Sequence, residues 1–415
     1  MLLFFFLAVF DSLPPVPEPA ALAGAEPVIR ADIDRDYLGA SVFFGEYYGG
    51  ALTYARSGFI LDAAYQHDEK WLAGADGHLK SAVALPFKPL WLQPFVDGRR
   101  DKRAGDFRRY GTGINAALSP PWFIIMTSFR FDHWRIPGIY NEATGNVSVF
   151  LDRLRILPQV EFGVIYRAGD WETSGAARLH SGNFHIGIGS SFAHNFPAPR
   201  LAIEYSTPRM GLEIGIQEGK IVKPLAFYFD PDKPYRYSVP LPAENLHAGI
   251  DFKARLVIGP FKLGGDGGIF RWQSRLAPDD SFYLNLMPDV EELRVNFFIS
   301  GAVNIMRLKL RQVLYIRYDQ AHPTIPGEPK YSILDTLALS YGPVYADLGM
   351  KYVTDREGIN RTLPGLILID SRIGGRYRSF KVFCAIYNLA NARPEIFDGY
   401  YPGSRRIAGG IGWDL

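Results

Sequence analysis

The sequence predicts an all-β fold, an antiparallel transmembrane β-barrel of about 22 strands, within a range of roughly 16–22. Three observations predict it. From about residue 38 to the C-terminus, apolar and polar residues alternate, the period of a strand with two unlike faces. Aromatic residues make up 14% of the 415, with 23 Tyr and 29 Phe, while mean hydropathy is only −0.04. A bundle of membrane helices would be far more apolar, whereas a membrane barrel pairs each lipid-facing residue with a polar one facing the lumen. Finally, no segment is apolar for the ~18 residues that a spanning helix needs, and the alternating segments have roughly the 9–11 residues of a spanning strand.

Residues 1–27 read as a signal peptide followed by a linker. Met1–Phe10 is an apolar run too short to span a bilayer, and residues 11–27 are rich in Pro and Ala. Residues 28–415 are expected to form the barrel. The clearest strand is 246–258, with Leu246, Ala248, Ile250, Phe252, Ala254, Leu256 and Ile258 on one face and His247, Gly249, Asp251, Lys253 and Arg255 on the other. Gly259-Pro260 reads as a tight turn into a Gly-rich strand that contains Gly264-Gly265-Asp266-Gly267-Gly268. The segment 306–319 sets Met306, Leu308, Leu310, Leu314, Ile316 and Tyr318 against Arg307, Lys309, Arg311, Tyr315, Arg317 and Asp319. The last strand places Ile407, Ile411, Trp413 and Leu415 on one side. Trp91, Trp122, Trp134, Trp171 and Trp272 lie near segment ends, where interfacial girdles are built. Asp97–Asp106, 230–234 and 321–329 carry charge or Pro and read as solvent-facing loops.

Strand parity gives a set of candidate lumen-facing charges: Arg130, Asp132, Asp251, Lys253, Arg255, Arg294, Arg307, Lys309, Arg311, Arg317, Asp347 and Lys351. Four bases on one face of one segment are hard to hide in a dry core and easy to place along a wet lumen. They fit either a basic ladder that draws anions or a brace paired with acids such as Asp335, Asp347 and Glu292. Cys384 shares its parity with Val382 and Ile386, so it is expected to face lipid.

The segment Tyr387–Arg406 resembles the end of TonB-dependent outer-membrane receptors. Asn388, Leu389 and Asn391 match that family's Asn-Leu-x-Asn turn, and Gly399, Tyr400, Pro402, Gly403 and Arg405 match the Gly-Tyr-Pro-x-Pro-Gly-Arg that precedes its closing strand. The resemblance covers about 40 residues. It implies a barrel in the bacterial outer membrane, with outer-membrane lipid and the barrel assembly machinery as partners. It does not carry over energised transport. The family's N-terminal plug has no room before residue 38, so a plugless barrel is expected, with a separate plug or energy-coupling protein as a further partner.

Other classes find little support. A net charge of +2 argues against nucleic acid, and one cysteine leaves no disulfide framework or thiolate cluster. The eight histidines are scattered and no Gly-x-Ser-x-Gly elbow occurs. Ser128, Asp132 and His133 could be read as a hydrolase set, but adjacent Asp132 and His133 point to opposite faces of a strand. No cofactor, no metal and no enzymatic activity are expected. Solute passage is the first functional expectation, a structural or binding barrel with a closed lumen the second, and a barrel hydrolase a minor third.

Overall fold

The computed structural model describes residues 37–414, apart from 45–46, 57–58, 69–73, 84, 88–89, 102–106, 119–122, 137, 152–156, 168–169, 182, 194–195, 222–242, 279–283, 359–360 and 393–404. The proposed leader and linker, the loop at 230–234, and Gly399, Tyr400, Pro402, Gly403 and Leu415 lie outside the described residues. Antiparallel hairpins follow one another around a ring. The first strand, Tyr37–Phe44, pairs with Tyr47–Arg56 on one side and with the last strand, Arg406–Asp414, on the other. That last pairing runs from Tyr37↔Asp414 to Phe44↔Ile407 and closes the sheet. Closure leaves no row of unpaired backbone N–H and C=O groups, which is the condition for crossing a bilayer with strands.

The sheet contains 23 strands among the described residues. One of them, Leu85–Phe87, continues Gly74–Val83 against the same partner, Leu90–Asp101. The wall therefore has 22 staves. A separate small hairpin, Arg356–Glu357 with Thr362–Leu363, sits outside it. The two ends of the barrel differ. At the end where the termini meet, several connections are two residues long: 259–260, 306–307, 342–343 and 378–379. At the other end several connections are longer, as at 222–243, 323–330, 354–365 and 388–405.

The two faces follow from side-chain contacts. Arg130 reaches Asp97 across the intervening strand Phe107–Leu118, and Arg200 reaches Asp251 across Met210–Ile221. Side chains that jump a strand converge on the concave side, so this polar face is the inner one. The opposite face carries exposed apolar residues, among them Leu52, Val96, Ile188, Ile214, Ile250, Ile269, Ile373 and Ile411. Aromatics ring its edges. At the short-turn edge stand the pairs Tyr54–Phe59, Phe184–Tyr205 and Phe380–Trp413. At the long-loop edge stands Tyr318–Tyr331. On the strand Tyr331–Tyr341 the two edge tyrosines are ten residues apart. That is about 34 Å along the strand, or about 24 Å along the axis of a barrel with strands tilted near 45°, close to the height of a membrane barrel's apolar band.

Several local expectations are corrected. Leu246 does not share the apolar face with Ile250. Bulges around residues 245–248 shift the register so that Leu246 lies opposite Trp272 and is buried at 1% exposure. Trp134 and Trp272 are not girdle residues but are buried on the inner face. Met306 and Arg307 form a turn rather than strand, with Met306 at φ 54°. Asp97 is not in a loop, because its strand runs from Leu90 to Asp101.

Candidate functional site

The inner face carries the charge, and near the long-loop end that charge is organised into closed networks. The first spans three strands. Asp97, Gly111 and Asp132 form one register row, and Phe95, Gly113 and Arg130 form the next. Arg130 donates Nη2 to Asp97 at 2.8 Å and Nε to Asp132 at 2.6 Å, while Arg109 donates to the same two carboxylates at 2.9 Å each. Two acids and two bases alternate, so the square is neutral. Its guanidiniums lie over rings, Arg109 5.2 Å from the Trp134 centroid and Arg130 5.6 Å from that of Phe95. The middle strand makes room. A Cβ on Gly111 would stand 2.1 Å from an Asp97 carboxylate oxygen and 2.8 Å from Arg130 Nη2. Only the residue without a side chain fits beneath a bond that crosses it.

The second network is larger and drier. Glu292 accepts from Trp272 Nε1 at 3.0 Å and from Arg294, and forms an ion pair with Arg275 at 2.9 Å. Asp319 accepts from Arg317, and Arg294 Nε lies 3.4 Å from it. Arg275 also reaches Glu328 at 3.6 Å. Three acids meet three bases, again without net charge. Glu292 and Asp319 are almost wholly buried, which is tolerable only because each carboxylate is paired. An apolar cluster of Leu246, Trp272, Ala277, Val290 and Ile325 covers this network. Ile325 belongs to the connection 323–330, expected to be a plain solvent loop. Instead it folds against inner-face residues and is tied through Gly327 N–H to the Glu357 carbonyl.

Nearer the short turns the pairings thin out. Arg372 holds Asp347 with two bonds and lies 5.5 Å over Tyr345, whose ring rests on Gly374. Arg200 joins Glu213 at 3.4 Å and Asp251 at 3.6 Å, and Lys253 stands 3.8 Å from Glu213. Arg255 and Lys351 occupy inner-face register positions and have interactions of their own. Arg307 is in a turn, and Lys309 and Arg311 are exposed on the inner face. The basic residues of segment 306–319 are thus divided, with Arg317 in the buried network and the others out of its reach. Asp335, expected to brace the lumen, faces outward, where Gln312 Nε2 donates to it at 3.1 Å. It pairs in register with Leu314 and Met350 of the apolar face. Cys384 is exposed, in register with Ile373.

The Asn388–Asn391 turn has a physical basis. Both asparagines adopt φ 54°, a left-handed conformation that Asn tolerates better than most residues. Asn388 then exchanges two hydrogen bonds with Ala392, Nδ2 to the carbonyl at 2.6 Å and Ala392 N–H to Oδ1 at 2.9 Å. Its own N–H donates to Asp370 at 2.7 Å. Asn391 Oδ1 accepts from Arg405 N–H at 3.0 Å, and the Arg405 guanidinium donates to the Leu389 carbonyl at 2.7 Å. The four described residues of the C-terminal motif therefore tie the two ends of the last long loop together.

A closed ring of this size and face pattern has counterparts among solved structures. The fold is TonB-dependent-receptor-like. The ferric enterobactin receptor of Pseudomonas aeruginosa superposes with a TM-score of 0.62 at 10% identity, covering 91% of this chain and 80% of that one. The copper transporter OprC gives 0.63 at 10% identity, with 92% and 80% covered. The outer-membrane transporter YddB of Escherichia coli gives 0.59 at 9% identity, with 92% and 81% covered. No family model matches the sequence, and no curated protein matches it. Sequence reasoning missed Asp97, Arg109, Trp134 and Trp272 as inner-face residues. The usable signal was parity, since Arg109, Gly111 and Gly113 alternate with Tyr110, Thr112 and Ile114.

Proposed function

We propose that this chain forms a barrel in the bacterial outer membrane through whose lumen a solute passes. The observation that carries the reading is the closed 22-stave wall, apolar outside between two aromatic rings and charged inside. The transporters that share this fold support it. On this reading the outer face meets lipid, the chain is inserted by the barrel assembly machinery, and no chemical step is catalysed. A separate plug or energy-coupling protein would be a partner at the lumen.

The test is reconstitution of the purified chain in a planar bilayer. Discrete, stable conductance steps are expected. A second reading, a barrel with an obstructed lumen that binds rather than conducts, draws on one observation: the connection 323–330 seats Ile325 on inner-face residues and Glu328 near Arg275. Silence in wild type with conductance on deleting 323–330 would favour that reading, and silence in both would overturn passage.

A further inference from the structure

We propose that the short-turn mouth of the barrel is an anion-selecting site, built by Lys262, Arg307, Lys309 and Arg311; the proposal rests on the passage reading and names the class of solute, small water-borne anions. Lys262 lies in register with Ser300 and Val257, Lys309 with Asn304 and Ser340, and Arg311 with Ala302 and Ala338, so none has a charged neighbour in its own row on either side. Arg307 occupies the turn between Leu284–Ile305 and Leu308–His322. All four are exposed. None of them has an ion pair or hydrogen bond among the described residues. Farther along the Arg311 row, past Ala338, comes Asp347, and Arg372 already holds it with two bonds. Asp266 accepts from Asn296 at 2.9 Å.

The arrangement continues toward the last strands. Arg376 and Lys381 stand directly opposite each other in register, a placement that like charges disfavour. At the same end, the strands Leu90–Asp101, Phe107–Leu118 and Phe123–Ile136 present Gln93, Asn115 and Ser128, with Asn115 donating to Gln93 at 3.2 Å. Lys262, Arg307, Lys309 and Arg311, set against a low-dielectric wall, focus field lines into the opening and raise the local concentration of anions. Because Lys262, Lys309 and Arg311 are on the inner face, they act on solutes in the lumen rather than on lipid headgroups.

The experiment uses the full chain in planar bilayers under a KCl gradient. Reversal potentials are compared for wild type, for the combined Lys262→Ser, Arg307→Ser, Lys309→Ser and Arg311→Ser variant, and for Lys309→Glu with Arg311→Glu. Wild type is expected to prefer chloride on the order of tenfold, the serine variant to lose most of that preference, and the glutamate variant to turn toward potassium. In parallel, binding of pyrene tetrasulfonate to the detergent-solubilised barrel is read by fluorescence. Silent bilayers with dye binding that the serine variant loses would sink passage and keep the anion site. Conductance without chloride preference, a preference that the serine variant keeps, or the absence of both conductance and dye binding would overturn the site.

Discussion

The long-loop half of the inner face and the short-turn mouth both carry arginine, and they use it differently. In the long-loop half every named guanidinium is matched: Arg109 and Arg130 to Asp97 and Asp132, and Arg275, Arg294 and Arg317 to Glu292, Asp319 and Glu328. At the mouth Lys262, Arg307, Lys309 and Arg311 stand exposed, with no ion pair among the described residues. Burial explains the difference. A charge withdrawn from water must be paired, whereas a charge left in water can stay single and project its field. The same residue type therefore braces the wall at one end and faces solute at the other.

The largest expected effect breaks the matched half. Glu292→Ala removes the acceptor of Trp272 and Arg294 and the ion-pair partner of Arg275, and leaves buried guanidiniums unpaired, which costs about 3–5 kcal/mol. Urea unfolding in lipid vesicles, followed by Trp fluorescence, would show the loss; an unshifted midpoint would remove the bracing role. Next is Gly111→Ala, which drives a methyl group into the Asp97–Arg130 bond and should cost about 1–3 kcal/mol. Gly98→Ala is its control, since a Cβ there meets nothing closer than 3.8 Å. Equal effects of the two would mean that the glycine does not serve the crossing ion pair. Asn388→Ala combines a left-handed backbone with the loss of the two bonds to Ala392, and should lower stability by about 2 kcal/mol.

Two smaller effects sharpen the contrast. Asp335→Leu replaces an outward carboxylate in the apolar band and should raise stability by about 1 kcal/mol, where the same change at Asp132 lowers it. Lys309→Ser should leave the unfolding midpoint within about 0.5 kcal/mol of wild type, as expected for an exposed side chain outside any network.

The architecture was legible in the sequence because period two is a local property. The alternation in 407–413 and 250–258 places Ile407, Ile411, Trp413, Ile250, Phe252 and Ile258 outward, as the structure has them. The C-terminal turn was legible because its residues act on one another within 18 positions. The networks were not, because their members come from different strands: Arg130 meets Asp97 at a separation of 33 residues, and Trp272 meets Glu292 at 20. Leu246 was misassigned because a bulge changes parity, and the glycine at the shift, Gly219, sits on the neighbouring strand. Asp335 was misassigned by its charge, as it keeps the parity of the apolar residues Ile333 and Leu337 around it.

The division between bracing and selecting charge requires an inner face that is wet and an outer face that is lipidic. The direct measurement is cysteine labelling along one strand, with Cys384→Ser as the background. Arg311→Cys and Val313→Cys should react with a membrane-impermeant maleimide in reconstituted vesicles open to the reagent, and Leu310→Cys and Leu314→Cys should react only with a lipid-soluble one. Equal labelling of all four, or the reverse pattern, would contradict the barrel's sidedness and with it the division between bracing and selecting charge.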